Sequence, residues 1–212
     1  MDLSSPLRSL VPSLDSAVLE VLCRTEAGLS AVQISRLSAR GTRPGQRPVL
    51  DRLVQHGLVI ADRANTGFLY RLNREHVLAP LVLVAVDIRR EVFDRLRSAC
   101  SRLNPRPVHA SVYGSFARRE GGPESDIDLM LILPSDVDTH DDLWVDQVRV
   151  LEGEVLRWTG NRLQALTFTE SRFSDVIGDG EPLVQTWSAD AVPLLGPEPA
   201  ALVARLAAKA ER

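Results

Sequence analysis

The chain has 212 residues, of which 44% are hydrophobic and 25% charged, and its net charge is −3. This is ordinary globular composition, and the two cysteines without C-x-x-C spacing argue against a disulfide framework or a cysteine-bound metal. The N-terminus lacks a basic segment followed by an apolar one, and the longest apolar run, 77–88, is too short to cross a bilayer. We therefore expect a cytoplasmic protein with no membrane association.

Charge is distributed unevenly along the chain. Residues 1–79 contain ten arginines and seven acidic residues, a net charge of +3, whereas residues 80–212 carry −6. This difference predicts two units with different partners. The predicted boundaries are a first unit at 1–76, a connecting helix at 77–104 and a second unit at 105–212. The apolar residues expected on the buried side of the connecting helix are Leu81, Val84, Ile88, Val92, Leu96 and Leu103.

The first unit reads as three helices followed by a hairpin. Apolar spacing predicts a helix from Leu14, Ser30 caps a second, and a loop rich in Gly, Arg and Pro precedes a third. Pro48 suits the first turn of that third helix, which Gly57 ends. The runs LVIAD and FLYRL are strand-like and are joined by Asn-Thr-Gly, a good turn sequence. This order resembles the winged helix-turn-helix family of the MarR and ArsR type.

In winged helix-turn-helix proteins the third helix enters the major groove and the hairpin follows the DNA backbone. The resemblance therefore implies contacts with double-stranded DNA from an outward helix face that also includes Gln46. The expected DNA-binding residues are Arg43, Arg47, Arg52 and, on the hairpin, Arg63. The alternative is a small domain that docks another protein, because +3 is a modest charge for DNA binding. A homodimer is the usual state of such DNA readers, and the apolar start of the connecting helix offers a surface either for the winged unit or for a second copy.

The second unit contains two neighbouring motifs. The strand PVHASVYG ends at Gly114 and Ser115, where a short helix begins, and exposed backbone N–H groups at such a junction favour a phosphate. The following strand is DIDLMLIL, and its period of two places Asp126 and Asp128 on one face. Two adjacent carboxylates repel unless a cation lies between them, and oxygen ligands suit Mg²⁺ or Mn²⁺ bridging to phosphate. The alternatives are a solvated edge strand for the acids and a simple helix cap for Ser115.

The spacing Gly-Ser, ten residues, Asp-x-Asp resembles the minimal nucleotidyltransferases of the DNA polymerase β-like superfamily, which include partners in toxin–antitoxin pairs. The resemblance covers about residues 80–195, and its specific part is 107–133. Arg119 stands where the family more often has Gly. The implied fold is a small mixed sheet flanked by helices, so the whole chain is expected to be α+β. The residues implied to bind the nucleotide are Gly114, Ser115, Arg118 and Ser125, and those implied to bind metal and act in catalysis are Asp126 and Asp128.

The family's third carboxylate falls on Gln164, in the predicted strand NRLQALTFT. Glutamine offers a carbonyl oxygen but cannot take a proton. Two functions therefore stay open. The first is transfer of a nucleoside monophosphate from NTP, with Mg²⁺, to a protein hydroxyl, an RNA or a small molecule. The second is a nucleotide-sensing transcriptional regulator, or an antitoxin acting on a partner toxin, whose transferase domain is inactive. The final segment, 171–196, is expected to form closing helices with Trp187 in the core.

Overall fold

The computed structural model describes residues 1–38, 40–65 and 67–210. The chain divides into two compact units. The N-terminal unit consists of residues 4–89 with Asp2, and the C-terminal unit consists of residues 90–212 with Met1 and Leu3. No helix among the described residues is long and apolar enough to cross a membrane.

Helices and a small antiparallel sheet make up the N-terminal unit. Ser30 begins α3 (Ala31–Leu37), the second helix of the prediction, with a capping box. Its hydroxyl accepts from the Gln33 N–H, and the Gln33 side chain accepts from the Ser30 N–H. The sheet order is β1-β3-β2, and the core includes Leu22, Ile34 and Leu50. The elements are α1 (Pro6–Leu10), α2 (Leu14–Cys23), β1 (Leu29–Ser30), α3 (Ala31–Leu37), α4 (Arg43–Gln55), β2 (Val59–Ala64), β3 (Gly67–Leu72) and α5 (Ala79–Val86).

Helix α4 begins five residues earlier than the sequence predicted. Pro44 occupies its first turn, where a missing N–H costs nothing, so the Gly- and Pro-rich segment is compatible with helix. Pro48 therefore lies inside the helix and not at its start. The expectation that Gln46 faces outward is also wrong, because its side chain is buried and its Nε2 donates to the Arg40 carbonyl oxygen at 2.8 Å. That hydrogen bond to the preceding loop favours the earlier start.

The predicted connecting helix is two helices, α5 and α6 (Ile88–Arg102), interrupted at Asp87. Aspartate is favoured at the start of a helix, and here it separates an apolar helix from a strongly charged one. Leu81 and Val84 were expected on the buried side, but they are 67% and 64% exposed. Ala79 is the fully buried residue of α5, and Val82, Leu83 and Val86 pack against the same core. The buried side of α5 is therefore not the side predicted from Leu81 and Val84.

The C-terminal unit is built around a four-stranded mixed sheet, which confirms the predicted α+β class. The sheet order is β6-β5-β4-β7, in which β5 and β6 are parallel and the other pairs are antiparallel. Besides α6, its elements are β4 (His109–Tyr113), α7 (Gly114–Ala117), β5 (Ile127–Leu133), α8 (Asp142–Thr159), β6 (Leu163–Thr169), α9 (Glu170–Gly178), α10 (Pro182–Asp190), β7 (Val192–Leu195) and α11 (Pro199–Ala210).

Strand β5 is buried on both faces, which explains its nearly continuous apolar sequence. Ile127, Leu129, Leu131 and Leu133 enter a core with α6 and α8 residues. Met130 and Ile132 enter a second core on the opposite face with residues of α9, α10 and α11. Strand β7 differs from the prediction of closing helices throughout 171–196. It pairs with β4 at the edge of the sheet, where a strand tolerates proline such as Pro193.

The second core fixes α10 to the sheet through Trp187, which is fully buried as predicted. Its Nε1 donates to Ser111 Oγ on β4 at 2.8 Å, and its ring lies edge-on to that of Phe173 at 5.2 Å. His109 contacts the same indole, with ring centroids 5.3 Å apart. Neither nitrogen of the buried His109 ring has a hydrogen-bond partner among the described residues.

His109 should make the free energy of unfolding sensitive to acid. Burial, assisted by the charge of Arg205, lowers the pKa of His109 to about 4. The unfolded chain, with an ordinary histidine pKa, binds more protons between about pH 6.5 and pH 4, so stability falls as the pH decreases through that window. Urea unfolding should show that His109→Leu removes about 2 kcal/mol of the stability loss between pH 7 and pH 5. An equal pH dependence in both proteins would contradict this assignment.

Candidate active site

The junction between β4 and α7 places Gly114 where the chain turns from strand into helix. Gly114 has φ +69°, in the left-handed region that favours glycine. The short helix is anchored by Phe116, which is fully buried and stacks on Phe93 with ring centroids 5.1 Å apart. The half-buried Ser115 follows the glycine, and its carbonyl oxygen accepts from the Glu120 N–H at 2.8 Å.

Asp128 lies directly against Gly114. Tyr113 and Asp128 are partners in the antiparallel ladder of β4 and β5, which brings the carboxylate to the turn. A Cβ atom at Gly114 would overlap Asp128 Oδ2. The glycine is therefore required both by its own backbone conformation and by the space that the carboxylate occupies. The Gly-Ser and Asp-x-Asp motifs meet in the structure, as their spacing predicted.

The two carboxylates form a partly buried, negatively charged pair. Asp126 immediately precedes β5 and Asp128 is its second residue. Burial and the charge of Asp126 raise the pKa of Asp128, and the charge of Arg118 partly offsets this rise. Burial and the charge of Asp128 raise the pKa of the neighbouring Tyr113 to about 12. Deprotonated Asp128 is thus destabilised unless further positive charge approaches.

Gln164 lies beside this pair on the parallel strand β6. Its partner in the ladder is Asp128, and its Nε2 donates to Asp126 Oδ2 at 2.8 Å. No group of three His, Cys, Asp or Glu side chains suited to a metal ion occurs among the described residues. The available donors are two carboxylates and one amide. This set fits Mg²⁺ or Mn²⁺, because such ions often take only one or two protein carboxylates together with water and substrate phosphates.

Arg118 is held by two carboxylates. Its Nε donates to Glu120 Oε2 at 2.8 Å and its Nη1 to Asp190 Oδ2 at 2.7 Å. Asp190 is a residue of the site that the sequence gave no reason to select, because it lies within a segment expected only to close the fold. Arg119 has φ +64°, which gives a physical reason why glycine suits that position.

The loop between the two motifs is held by polar contacts. Ser125 was predicted to bind the nucleotide, and in the structure its Oγ accepts from the Gly122 N–H at 2.9 Å. The buried Asn161, which the sequence did not single out, donates from Nδ2 to the carbonyl oxygens of Pro123 and Ser125 at 3.1 and 3.0 Å. These bonds position the segment that leads into Asp126.

The four arginines predicted to bind DNA are on the N-terminal unit, and two of them are engaged with carboxylates. Arg47 pairs with Asp51 at 3.0 Å, and Arg52 pairs with Asp15. Arg43 and Arg63 are exposed. The candidate DNA-contacting charge is therefore concentrated at the start of α4 and on the hairpin.

Residues 93–170 match the family model of a nucleotidyltransferase domain. The matched segment is less than half of the chain and includes both motifs and Gln164. This match confirms the predicted resemblance at the level of the domain family. A search of curated proteins found no match.

Two solved structures also resemble the chain. One is a crystal structure of a toxin–antitoxin with AMP-PNP, with 12% sequence identity and a TM-score of 0.40. The other is a mutant of the toxin–antitoxin MntA–HpeT, with 11% identity and a TM-score of 0.39. Each alignment covers 56% of this chain and 86% of the other.

Replacing Gly114 by alanine should destabilise the protein by about 2 kcal/mol, because the new methyl group meets Asp128 and the backbone is left-handed. Gly122→Ala is the matched control in the same loop region, since a Cβ there has no neighbour within 4 Å. We expect the control to unfold in urea within about 0.5 kcal/mol of the wild type. Equal stability of both variants would show that Asp128 does not occupy this space.

Proposed function

We propose that the C-terminal unit binds an NTP with a divalent cation at Asp126 and Asp128 and transfers a nucleoside monophosphate to an acceptor, with release of pyrophosphate. The observation that carries this proposal is the carboxylate pair placed against the glycine turn of the Gly-Ser motif. The match of residues 93–170 to a nucleotidyltransferase domain supports it. The acceptor is a protein hydroxyl, an RNA or a small molecule.

Charge explains why a cation belongs in this proposal. Glu120 and Asp190 accept hydrogen bonds from the Arg118 guanidinium, whose charge also acts on Asp128. Asp126 adds a fourth negative charge, which acts on Asp128. A triphosphate approaching without its cation would be repelled by this excess of negative charge. A bound Mg²⁺ or Mn²⁺ would neutralise phosphate charge and favour in-line displacement at the α-phosphate.

The protein side chains then have separate tasks. Asp126 and Asp128 hold the cation, and the Gly114 turn lets the Asp128 carboxylate lie against the backbone. The Ser115 hydroxyl and the Arg118 guanidinium can donate to phosphate oxygens. Ser125 acts through the loop, because its hydroxyl bonds to Gly122.

A second candidate function is nucleotide binding without transfer, as in a sensing regulator or an antitoxin. The observation that favours it is the hydrogen bond from Gln164 Nε2 to Asp126 Oδ2 at 2.8 Å. The amide satisfies part of the hydrogen-bonding capacity of the Asp126 carboxylate. It cannot accept a proton from an attacking hydroxyl. Toxin–antitoxin proteins among the similar structures make a partner protein part of this candidate.

For the N-terminal unit we propose a winged helix-turn-helix that binds double-stranded DNA. The element order α2, α3, α4, β2, β3 supports this reading, as does the pairing of the short strand β1 with β3. In this proposal α4 enters the major groove, and Arg43 and Arg63 contact phosphates. A homodimer would place two such helices on successive half-sites.

Incubation of the full-length protein with each α-phosphate-labelled NTP, MgCl₂ and cell lysate tests transfer. We expect label in an acceptor, and we expect Asp126→Asn to lose both the label and NTP binding measured by calorimetry. Asp136→Asn, an exposed carboxylate beyond β5, is the control and should keep both. Absence of label together with unchanged NTP binding in Asp126→Asn would contradict the proposal.

Gln164→Glu tests whether the missing carboxylate limits the rate. Because glutamate can accept a proton at the same place, we expect transfer about a hundredfold faster than in the wild type. Tight NTP binding with no transfer by the wild type would favour the sensing candidate. A wild-type rate that Gln164→Glu leaves unchanged would assign the base to another group.

DNA binding can be tested by titrating labelled duplex DNA at several salt concentrations. Arg43→Ala and Arg63→Ala should each reduce the slope of log affinity against log salt by about 1, because each removes one phosphate contact. Arg97→Ala is the control, since Arg97 lies on α6 in the C-terminal unit and pairs with Asp94 at 2.6 Å. Salt-independent or undetectable binding would contradict the proposal, and binding that requires NTP would support nucleotide sensing.

A further inference from the structure

The ion pairs of Arg118 connect the candidate active site to α10. Asp190 is the last residue of that helix and lies 72 residues from Arg118 in the sequence. The Asp190 side chain is 24% exposed and that of Arg118 is 37% exposed, so the pair lies at the protein surface with its carboxylate partly covered. The bond joins two charged groups at 2.7 Å, which makes it stronger and more directional than a bond between neutral groups.

The position of Asp190 is determined by the core and not by the surface. Three residues earlier, the fully buried Trp187 donates to Ser111 Oγ in β4. The same strand continues to Gly114, where α7 begins and leads to Arg118. Strand β4 therefore fixes both partners of the ion pair. It positions Arg118 through the turn at Gly114, and it positions Asp190 through the Trp187 indole bound at Ser111.

The two carboxylates leave part of the guanidinium available. Glu120 takes Nε and Asp190 takes Nη1, and no side chain in the described parts of the chain pairs with Nη2. Arg118 directly follows α7, whose first residue, Gly114, lies against Asp128. An arginine already held in place loses less rotamer freedom when a phosphate binds.

We propose that Asp190 is a positioning residue for nucleotide binding, which holds Arg118 so that its remaining amino group meets the phosphates of an NTP at Asp126 and Asp128. This inference rests on the proposed nucleotide site and applies to both of its functional forms. The opposite role, in which Asp190 sequesters Arg118 from the nucleotide, predicts tighter binding when the pair is broken.

A double-mutant cycle on the full-length protein tests the inference. The binding of ATP, GTP, CTP and UTP with MgCl₂ is measured by calorimetry for the wild type, Asp190→Asn, Arg118→Gln and the double variant. For the best-bound NTP, we expect each single variant to bind about tenfold more weakly. The double variant should bind no more weakly than Arg118→Gln, because Asp190 acts through that arginine. Asp190→Glu, which keeps the charge, should recover part of the affinity.

The control is Asp179→Asn, an exposed carboxylate just before α10, which should bind like the wild type. Thermal unfolding checks that each variant is folded. Unchanged or tighter binding by Asp190→Asn would overturn the positioning role, and so would losses that add in the double variant, as expected from a displaced helix. Failure of the wild type to bind any of the four NTPs would overturn the proposed nucleotide site itself, whereas normal wild-type binding with an unaffected Asp190→Asn would overturn only this inference.

Discussion

Repulsion between two carboxylates at the start of β5 is the constraint on which the candidate site depends. Asp126 and Asp128 lie close together, and burial adds to the cost of ionising Asp128. The strand cannot relieve this by moving one residue along its neighbours, because the shift would exchange the side chains of its two faces and turn both acids into the core with α6 and α8. Since β5 packs on both faces, the rest of the fold holds the charges in place.

The neighbours of the pair reduce this repulsion without removing it. Gln164 donates to one carboxylate, Arg118 contributes a positive charge, and Gly114 provides the space for the other carboxylate. A third carboxylate in place of Gln164 would strengthen cation binding but would add repulsion when the cation is absent. The amide therefore lowers the electrostatic cost of holding the two carboxylates together, and this property is compatible with both proposed functions.

The two units use charge in opposite ways. In the C-terminal unit the important charges are negative and partly buried, and they come from residues brought together by the sheet. In the N-terminal unit the candidate charges are arginines on the surface, where pairing with Asp51 or Asp15 removes Arg47 and Arg52 from the freely available set. Surface pairs of this kind are weak, so in the proposed DNA complex the phosphates would compete for these arginines.

The fold and site were predictable from the sequence wherever the cause is local. Alternation along one strand placed Asp126 and Asp128 on a common face, and Gly114 between a strand pattern and a helix pattern indicated the turn. Local rules were wrong at Pro48 and at the break at Asp87. In the first case a buried glutamine side chain favours helix, and in the second a change from apolar to charged sequence divides two helices.

The sequence by itself determined the two motifs, the chemistry of their side chains and the neutral residue where an acid was expected. Only the tertiary structure decided that Gln164 bonds to Asp126 and that Asp190 holds Arg118. The residues of these pairs are separated by 38 and 72 positions. Their contacts depend on strand order and on the packing of Trp187 against Ser111, neither of which leaves a periodic or local signal in the chain.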